Sequence, residues 1–481
     1  MSDWYQISNL PNLIDEPGKF AVVGSGKKYR VYVWAPDGVD LERQLVEGSR
    51  RGHGLRGQGV SHVSFIGLDV TGTTQRPLSF DHGEHNTIRF CCSYNNRHGP
   101  FMGEAFGLYL SEQKHSKITN CISVLNGCGI NVFHSSDCVI ENNISGRNIV
   151  DAMVVSWNSH RVRVARNFAF DNWDQNHPDG FQTYRAVVDL TLESNLFMSV
   201  GQGWQSAETQ GARAINNVWA GIHHFGGINY SKRQSEVASM EPNKRLVFEN
   251  NTTFSGSIST GFDGRAVNNI RLSGIGLLAD GLCDYNLYSS RSESTATPYH
   301  KDGKDVYSKN FTEWQEKVSP NSAHDRVARV HFRNGPAFET KTGNGETGGS
   351  SETKISSGTS GFAVGDHIEL DCDGIVRTVV AVSTSGIALQ PAPVAGSLHG
   401  IETIVWNWKE LTDFTLDTRL ADDSPGKQQG KDGVDIGSAI DVQSYMRGDF
   451  DSDGKRDVPD LPPAVRRNVS NHTLITRYLH W

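Results

Sequence analysis

The chain has 481 residues, 50 of them glycine, with 37% hydrophobic, 9% aromatic and 21% charged residues. Its 46 basic and 54 acidic side chains give a formal net charge of −8, which argues against a general nucleic-acid binder but leaves room for an anionic ligand in a local basic groove. No apolar run reaches the length of a membrane span, and seven cysteines, an odd total with no Cys-x-x-Cys pair, argue against a disulfide framework.

Residues 1–57 carry short alternating runs such as Lys28-Tyr29-Arg30-Val31-Tyr32-Val33, closed by the Pro36-Asp37-Gly38 turn, and are expected to form lead-in strands and a cap. Met1-Ser2-Asp3-Trp4-Tyr5 has neither the charged nor the apolar stretch of an export signal, and the natural chain is expected to extend further at this end. From residue 58 to 324 a unit recurs, a small residue followed by alternating apolar and polar positions. Its leaders Gly107, Gly129, Ala152, Gly180, Gly203 and Gly227 stand 22, 23, 28, 23 and 24 positions apart. A second series of period-two strands lies at 116–120, 138–143, 162–167, 188–195 and 246–251, running into Asn before a turn. The interval is too short for a β–α–β crossover, so this region reads as an all-β coil stacked on itself, a parallel β-helix. Several cysteines fall on its strands, where a buried thiol serves as a small apolar residue. Asn142, Asn143, Asn195, Asn216, Asn217, Asn250 and Asn251 are expected to stack as amide ladders at turns.

These repeats, over about residues 58 to 290, resemble those of right-handed parallel β-helix proteins that process polysaccharides: pectate lyases, polygalacturonases, alginate lyases and mannuronan C5-epimerases. The resemblance implies the fold, a polysaccharide partner rather than nucleic acid or membrane, a monomer, and a secreted, periplasmic or cell-surface location. It does not choose a reaction, because one fold hosts many.

A polar linker opens at Asp284-Tyr285-Asn286-Leu287-Tyr288. Strand-like runs at 365–370, 375–382 and 386–390, after a Gly/Ser/Thr-rich 341–361, then suggest a small β-barrel or sandwich module at 325–405. It reads as a packing or spacer module, with glycan binding as the alternative. Residues 406–481 are similar to the closing segment of secreted β-helix proteins and are expected to pack back on the solenoid. Inside them, 449–460 places acidic groups at loop positions one, three, five, nine and twelve, with Gly454 at six for the sharp turn. This resembles EF-hand and dockerin calcium loops, although Asp460 replaces the usual Glu and no flanking helix pair is evident. Asp449, Asp451, Asp453, Lys455, Asp457 and Asp460 are the expected ligand set of a structural calcium.

Aligned on their leading small residue, successive coils stack equivalent positions about 4.8 Å apart. The residue before the leader forms the column Phe106, Cys128, Asp151, Asp179, Gln202, Gly226. Two after it come Tyr109, Asn131, Val154, Gln182, Gln205, Asn229, and four after it Ser111, Phe133, Ser156, Tyr184, Ala207, Ser231. The following turn reads Glu112, His134, Trp157, Arg185, Glu208, Lys232. The longest interval has its excess at 171–179, as expected of a functional loop on a regular scaffold. One outer face therefore gathers the candidate catalytic groups Asp151, Asp174, His177, Asp179, Tyr184 and Arg185. Trp157, Gln182, Gln205, Glu208, Lys232, His223 and His224 are the candidate substrate-binding groups.

Three readings remain. In a lyase, Arg185 or Lys232 neutralises a uronate carboxylate, and His177 and Tyr184 share removal of the C5 proton and protonation of the leaving oxygen. The 174–179 segment is similar to the Asp-Pro-His motif of mannuronan epimerases, with Pro and His inverted. In an inverting hydrolase, Asp151, Asp174 and Asp179 resemble the aspartate cluster of polygalacturonases, whose Gly-His-Gly and Arg-Ile-Lys signatures are missing. A glycan-binding solenoid without catalysis is the third. The lyase or epimerase class is favoured, because a His, Tyr, Arg and Lys set suits proton abstraction beside an anion, and a second calcium at the substrate site stays open.

Overall fold

The computed structural model describes residues 51–96, 105–172, 178–230, 243–254, 258, 263–272, 281–289, 304–308, 310–318, 322–343, 348–356, 358–394 and 403–459, with strands at 5–8, 19–25, 28–33 and 297–301. For those four strands, 223–230 and 304–308, the backbone alone is described.

Stacked coils form a right-handed parallel β-helix with three walls. The short wall consists of three-residue strands such as Lys117–Thr119, Val139–Glu141, Arg163–Ala165 and Thr191–Glu193. The middle wall follows a turn later, with Ile122–Val124, Ile144–Gly146, Phe168–Asn172 and the first part of Leu196–Gln210. The long wall carries Arg51–Gln58, Thr73–Glu84, Phe106–Lys114, Cys128–Phe133, Met153–Ser156, Asp179–Val188 and the later part of Leu196–Gln210. Neighbouring coils pair in parallel throughout. Arg51–Gln58 and Arg326–Val327 belong to the first and last coils, so the solenoid overruns the expected 58–324 at both ends.

Alternation sends Leu108, Ile130, Met153, Phe181 and Trp204 inward from the long wall, where they meet Ile118, Ile140, Val164 and Leu192 from the short wall in one core with no solvent exposure. The seven cysteines are buried free thiols.

The turn between short and middle walls is pinned by an amide ladder. Asn143, Asn167, Asn195, Asn217, Asn251, Asn269 and Asn286 each donate from the backbone N–H and Nδ2 to the next rung, at 2.7–3.1 Å. Asp325 ends the series as an acceptor, taking the Asn286 donors on Oδ1 and the Tyr288 hydroxyl on Oδ2. Only the second member of each Asn-Asn pair stacks. Asn142, Asn216 and Asn250 instead take left-handed φ of 56°, 56° and 54°, a conformation Asn tolerates better than most residues. Those three are therefore corner residues, which corrects the expectation for them.

The small module is a six-stranded antiparallel sheet, Phe338–Lys341, Ile404–Lys409, His367–Leu370, Arg377–Val382, Gly386–Gln390 and Thr353–Lys354, with its own core around Ile368, Val379, Ile387 and Val405. Ile404–Lys409 is integral to it, so it ends later than 405. Its Trp406 and Trp408 join Phe414, Leu416, Ile436, Met446 and Phe450 of the return segment over the outer face of the middle wall, against Ile144, Phe168, Leu196 and Val218. Glu339 ties the two bodies together: one carboxylate oxygen accepts from Trp406 Nε1 at 2.6 Å and from the Gly221 backbone at 3.1 Å.

Candidate functional site

The register of the long wall follows the small leading residues. Met153 pairs with Phe181, Val154 with Gln182 and Ser156 with Tyr184; Phe181 then pairs with Trp204 and Gln182 with Gln205. Ala152, Gly180 and Gly203 thus lie in one column. At Gly129 the small residue is obligatory, because a Cβ would stand 2.0 Å from Ser145 Oγ and 2.2 Å from the Ala152 carbonyl oxygen. One coil later the register shifts, and Gln202 pairs with Phe225 instead of the expected Gly226.

Asp151 and Asp179 occupy adjacent coils just before the strands turn inward. Asp151 Oδ1 accepts the Asp179 backbone N–H at 3.0 Å, and the Asp179 carbonyl accepts the Ala152 N–H at 2.8 Å. Gln182 Nε2 donates to Asp179 Oδ2 at 3.2 Å and to Gln205 Oε1 at 2.8 Å. The outward columns were expected to be exposed, yet Asp151 is 4% and Asp179 0% exposed, so the pair is recessed. Burial pushes the Asp151 carboxyl up to about 7, against the opposing pull of the Asp179 N–H. Burial and the Asp151 charge also push the Cys128 thiol up, which leaves it protonated and inert. Gln202, paired with Asp179 on the next coil, has a buried Oε1 with no hydrogen-bond donor among the described residues. The cluster can therefore hold one proton beside a second carboxyl, with the Gln182 amide bonded to it and Gln202 on the next coil.

Further along the same strands, Trp157, Tyr184 and Arg185 form a half-buried rim. Glu112, His134, Trp157, Arg185 and Glu208 all have φ between 48° and 60°, so left-handed corners stack them into one column. The Arg185 guanidinium lies 4.1 Å over the Trp157 ring and 5.2 Å over Tyr184. Trp157, expected to offer its face to a sugar, carries Arg185 on it instead. Arg185 Nε is buried without a hydrogen-bond partner among the described residues. Asp174, His177 and Lys232 lie outside the described residues, as do the His223 and His224 side chains, although their backbone belongs to the strand Val218–Tyr230.

A charged group on the first coils escaped the sequence reading. Asp81 accepts from Arg56 Nε at 2.7 Å and from Arg76 at 2.9 Å, and the Arg76 guanidinium sits 4.0 Å over the Tyr109 ring. Pro77 occupies the place where later coils carry a small leader, so the repeat offered no register there.

In the acidic loop, ligand oxygens of Asp449, Asp451 and Asp453 lie within 4.8 Å of one another. Asp449 accepts from the backbone N–H of Asp453 and Gly454 at 3.1 and 3.0 Å, and Gly454 has φ 84°. Asp457 accepts from the Phe450 N–H at 2.7 Å, and burial beside the three aspartates raises its carboxyl. Lys455 Nζ is 3.5 Å from Asp453 Oδ2, and Asp460 lies outside the described residues. One helix does lead into the loop, Val442–Arg447, capped by Asp441 and ended by left-handed Gly448. A converging set of hard oxygen donors fits a calcium ion.

Fold and site together define a class, a parallel β-helix whose long wall holds a recessed acid pair. The family described as "NosD: Periplasmic copper-binding protein" matches residues 37–222, which is under half of the chain. A search of the curated proteins finds no match. Among solved structures the chain is similar to an alginate lyase from Paenibacillus sp. str. FPU-7, at 12% identity and TM-score 0.30, over 50% of this chain and 88% of that one. It is also similar to the pre-mature bacteriophage phi29 gene product 12, at 10% identity and TM-score 0.33, over 52% of this chain and 36% of that one. The Dettilon tailspike protein is similar at 9% identity and TM-score 0.28, over 75% of this chain and 85% of that one. Among the described residues no helix is long and apolar enough to cross a membrane.

Proposed function

We propose that this protein is a carbohydrate-active enzyme that cuts a polysaccharide lying along the long wall, with Asp151 and Asp179 as its acid–base pair. The observation that supports this reading is a buried Asp151 carboxyl, bonded to the main chain of Asp179 on the next coil and held near half-protonation at neutral pH. Protonated Asp151 gives its proton to the leaving glycosidic oxygen, and the Asp179 carboxylate takes one from the attacking water. Gln182 orients the Asp179 carboxylate through its 3.2 Å contact, and Gln205 holds Gln182.

A second reading, β-elimination on a uronate, is supported by Arg185, whose Nε is buried without a hydrogen-bond partner among the described residues and whose guanidinium lies against Tyr184. There Arg185, with Lys232, neutralises the sugar carboxylate while Tyr184 and His177 move the protons. Asp174, Trp157, Glu208, His223 and His224 complete the proposed site. Asp449, Asp451, Asp453, Lys455, Asp457 and Asp460 are proposed to hold calcium, which would fix the return segment and take no part in the chemistry. The description of the NosD family as periplasmic supports a location outside the cytoplasm.

The test is incubation with a panel of uronate and neutral polysaccharides, followed in parallel by new reducing ends and by ultraviolet absorbance of an unsaturated product. Reducing ends alone identify hydrolysis, and both signals together identify elimination. Binding with neither signal, and with no change in the polymer's proton NMR spectrum that would reveal epimerisation, overturns the catalytic reading in favour of an adhesive solenoid.

A further inference from the structure

We infer that the first coils of the long wall hold a subsite for an anionic sugar unit, built from Arg56, Arg76 and Tyr109. This rests on the reading of the long wall as a polysaccharide groove and names the charge of what lies there. Two guanidiniums share the single Asp81 carboxylate, at 2.7 and 2.9 Å, so the cluster keeps a net positive charge. Asp81 is almost wholly buried and pins both arginines, whereas their side chains remain 33% and 28% exposed. Each guanidinium spends one N–H on Asp81 and has further in-plane donors, the geometry that matches a carboxylate or sulfate. Tyr109 supports the Arg76 plane from below at 4.0 Å. Burial and both arginines lower the His53 imidazole, so it stays neutral beside them at neutral pH and the positive charge of the cluster is that of the arginines. Among the described residues Glu112 also acts on Tyr109, and His82 engages it at 3.1 Å.

The coil register fixes where this subsite lies relative to the acid pair. Leu78 pairs with Leu108 and Phe106 with Cys128, so Arg76 lies in the column that continues through Phe106 and Cys128 to Asp151. Three coil steps set the Arg76 backbone about 14 Å across the wall from Asp151, and its guanidinium reaches along the strand to Asp81, so the subsite stands further than that from the acid pair. A short oligosaccharide seated on the acid pair does not reach the arginines; a longer one does.

The experiment is calorimetric titration of the full chain, made inactive by Asp151→Asn, with oligouronates of increasing length and neutral oligosaccharides of matched length. The expected result is that uronates gain about tenfold in affinity once they are long enough to span the gap. In that background Arg76→Gln or Arg56→Gln removes the gain and lowers the salt dependence, while binding of the shortest oligomers stays unchanged and Arg76→Lys restores part of the gain. Equal affinity for long uronates and long neutral chains overturns the subsite and leaves the polysaccharide reading standing. A loss at every length assigns the arginines a folding role and overturns the subsite. Failure of every oligosaccharide to bind overturns both.

Discussion

The middle and long walls are laid down by the same coil-on-coil rule and differ in what their outward columns carry. The middle wall sends out Ile144, Phe168, Leu196 and Val218, and the return segment and small module cover them. The long wall carries Asp151, Asp179, Gln182 and Gln205, polar groups that are recessed and bonded to one another from coil to coil. The stacking scaffold is indifferent to this choice. Whether a wall becomes an apolar interface or keeps a polar cluster is decided by side chains that take no part in building the coil.

The contrast is broken most severely at Asp179. Asp179→Asn removes the proposed base and is expected to lower kcat by about 10²- to 10⁴-fold, with an unchanged circular dichroism spectrum. On the middle wall, Phe168→Ala leaves a void beneath the return segment. It should cost about 3–5 kcal/mol in denaturant unfolding while kcat of the folded fraction stays at the wild-type value. The proposed calcium sharpens the same division, because the acidic loop belongs to the covering segment. Added at about a hundredfold over its Kd, it should stabilise by about 3 kcal/mol, seen as a rise in Tm that chelator reverses and Asp451→Asn abolishes. The smallest effect belongs to the short wall. There Arg163 bridges Glu141 at 2.5 Å and Glu193 at 3.1 Å at the half-buried surface, and Arg163→Gln should cost about 1 kcal/mol in the same unfolding assay.

The long wall was legible because a small residue, Gly107, Gly129, Ala152, Gly180 or Gly203, stands at the same place in each coil, a periodic mark that survives without coordinates. The short wall was legible through its terminal Asn. The middle wall had no such mark: Ile122–Val124 and Ile144–Gly146 are three residues each, too short for a period to register. Local spacing gave the columns of the site but not its depth, because burial depends on what covers a face and not on the face itself. For the same reason Trp157 read as an open platform, since nothing in its neighbourhood along the chain announces that Arg185, one coil away, lies on its ring. The Asn-Asn pairs divide between ladder and corner because a turn has one inward and one left-handed position, a distinction invisible in two identical residues.

A raised Asp151 pKa also has a sign in stability. The folded protein holds that proton to a higher pH than the unfolded chain, so this group's contribution falls as pH rises from about 4 to about 7. The most direct test of the central claim is the pH dependence of kcat/KM for polysaccharide cleavage. If Asp151 is the proton donor, the rate declines as pH rises through about 7 and the carboxyl ionises. A rate that stays level or climbs across that range, or an Asp151→Asn variant that keeps the wild-type profile, contradicts it.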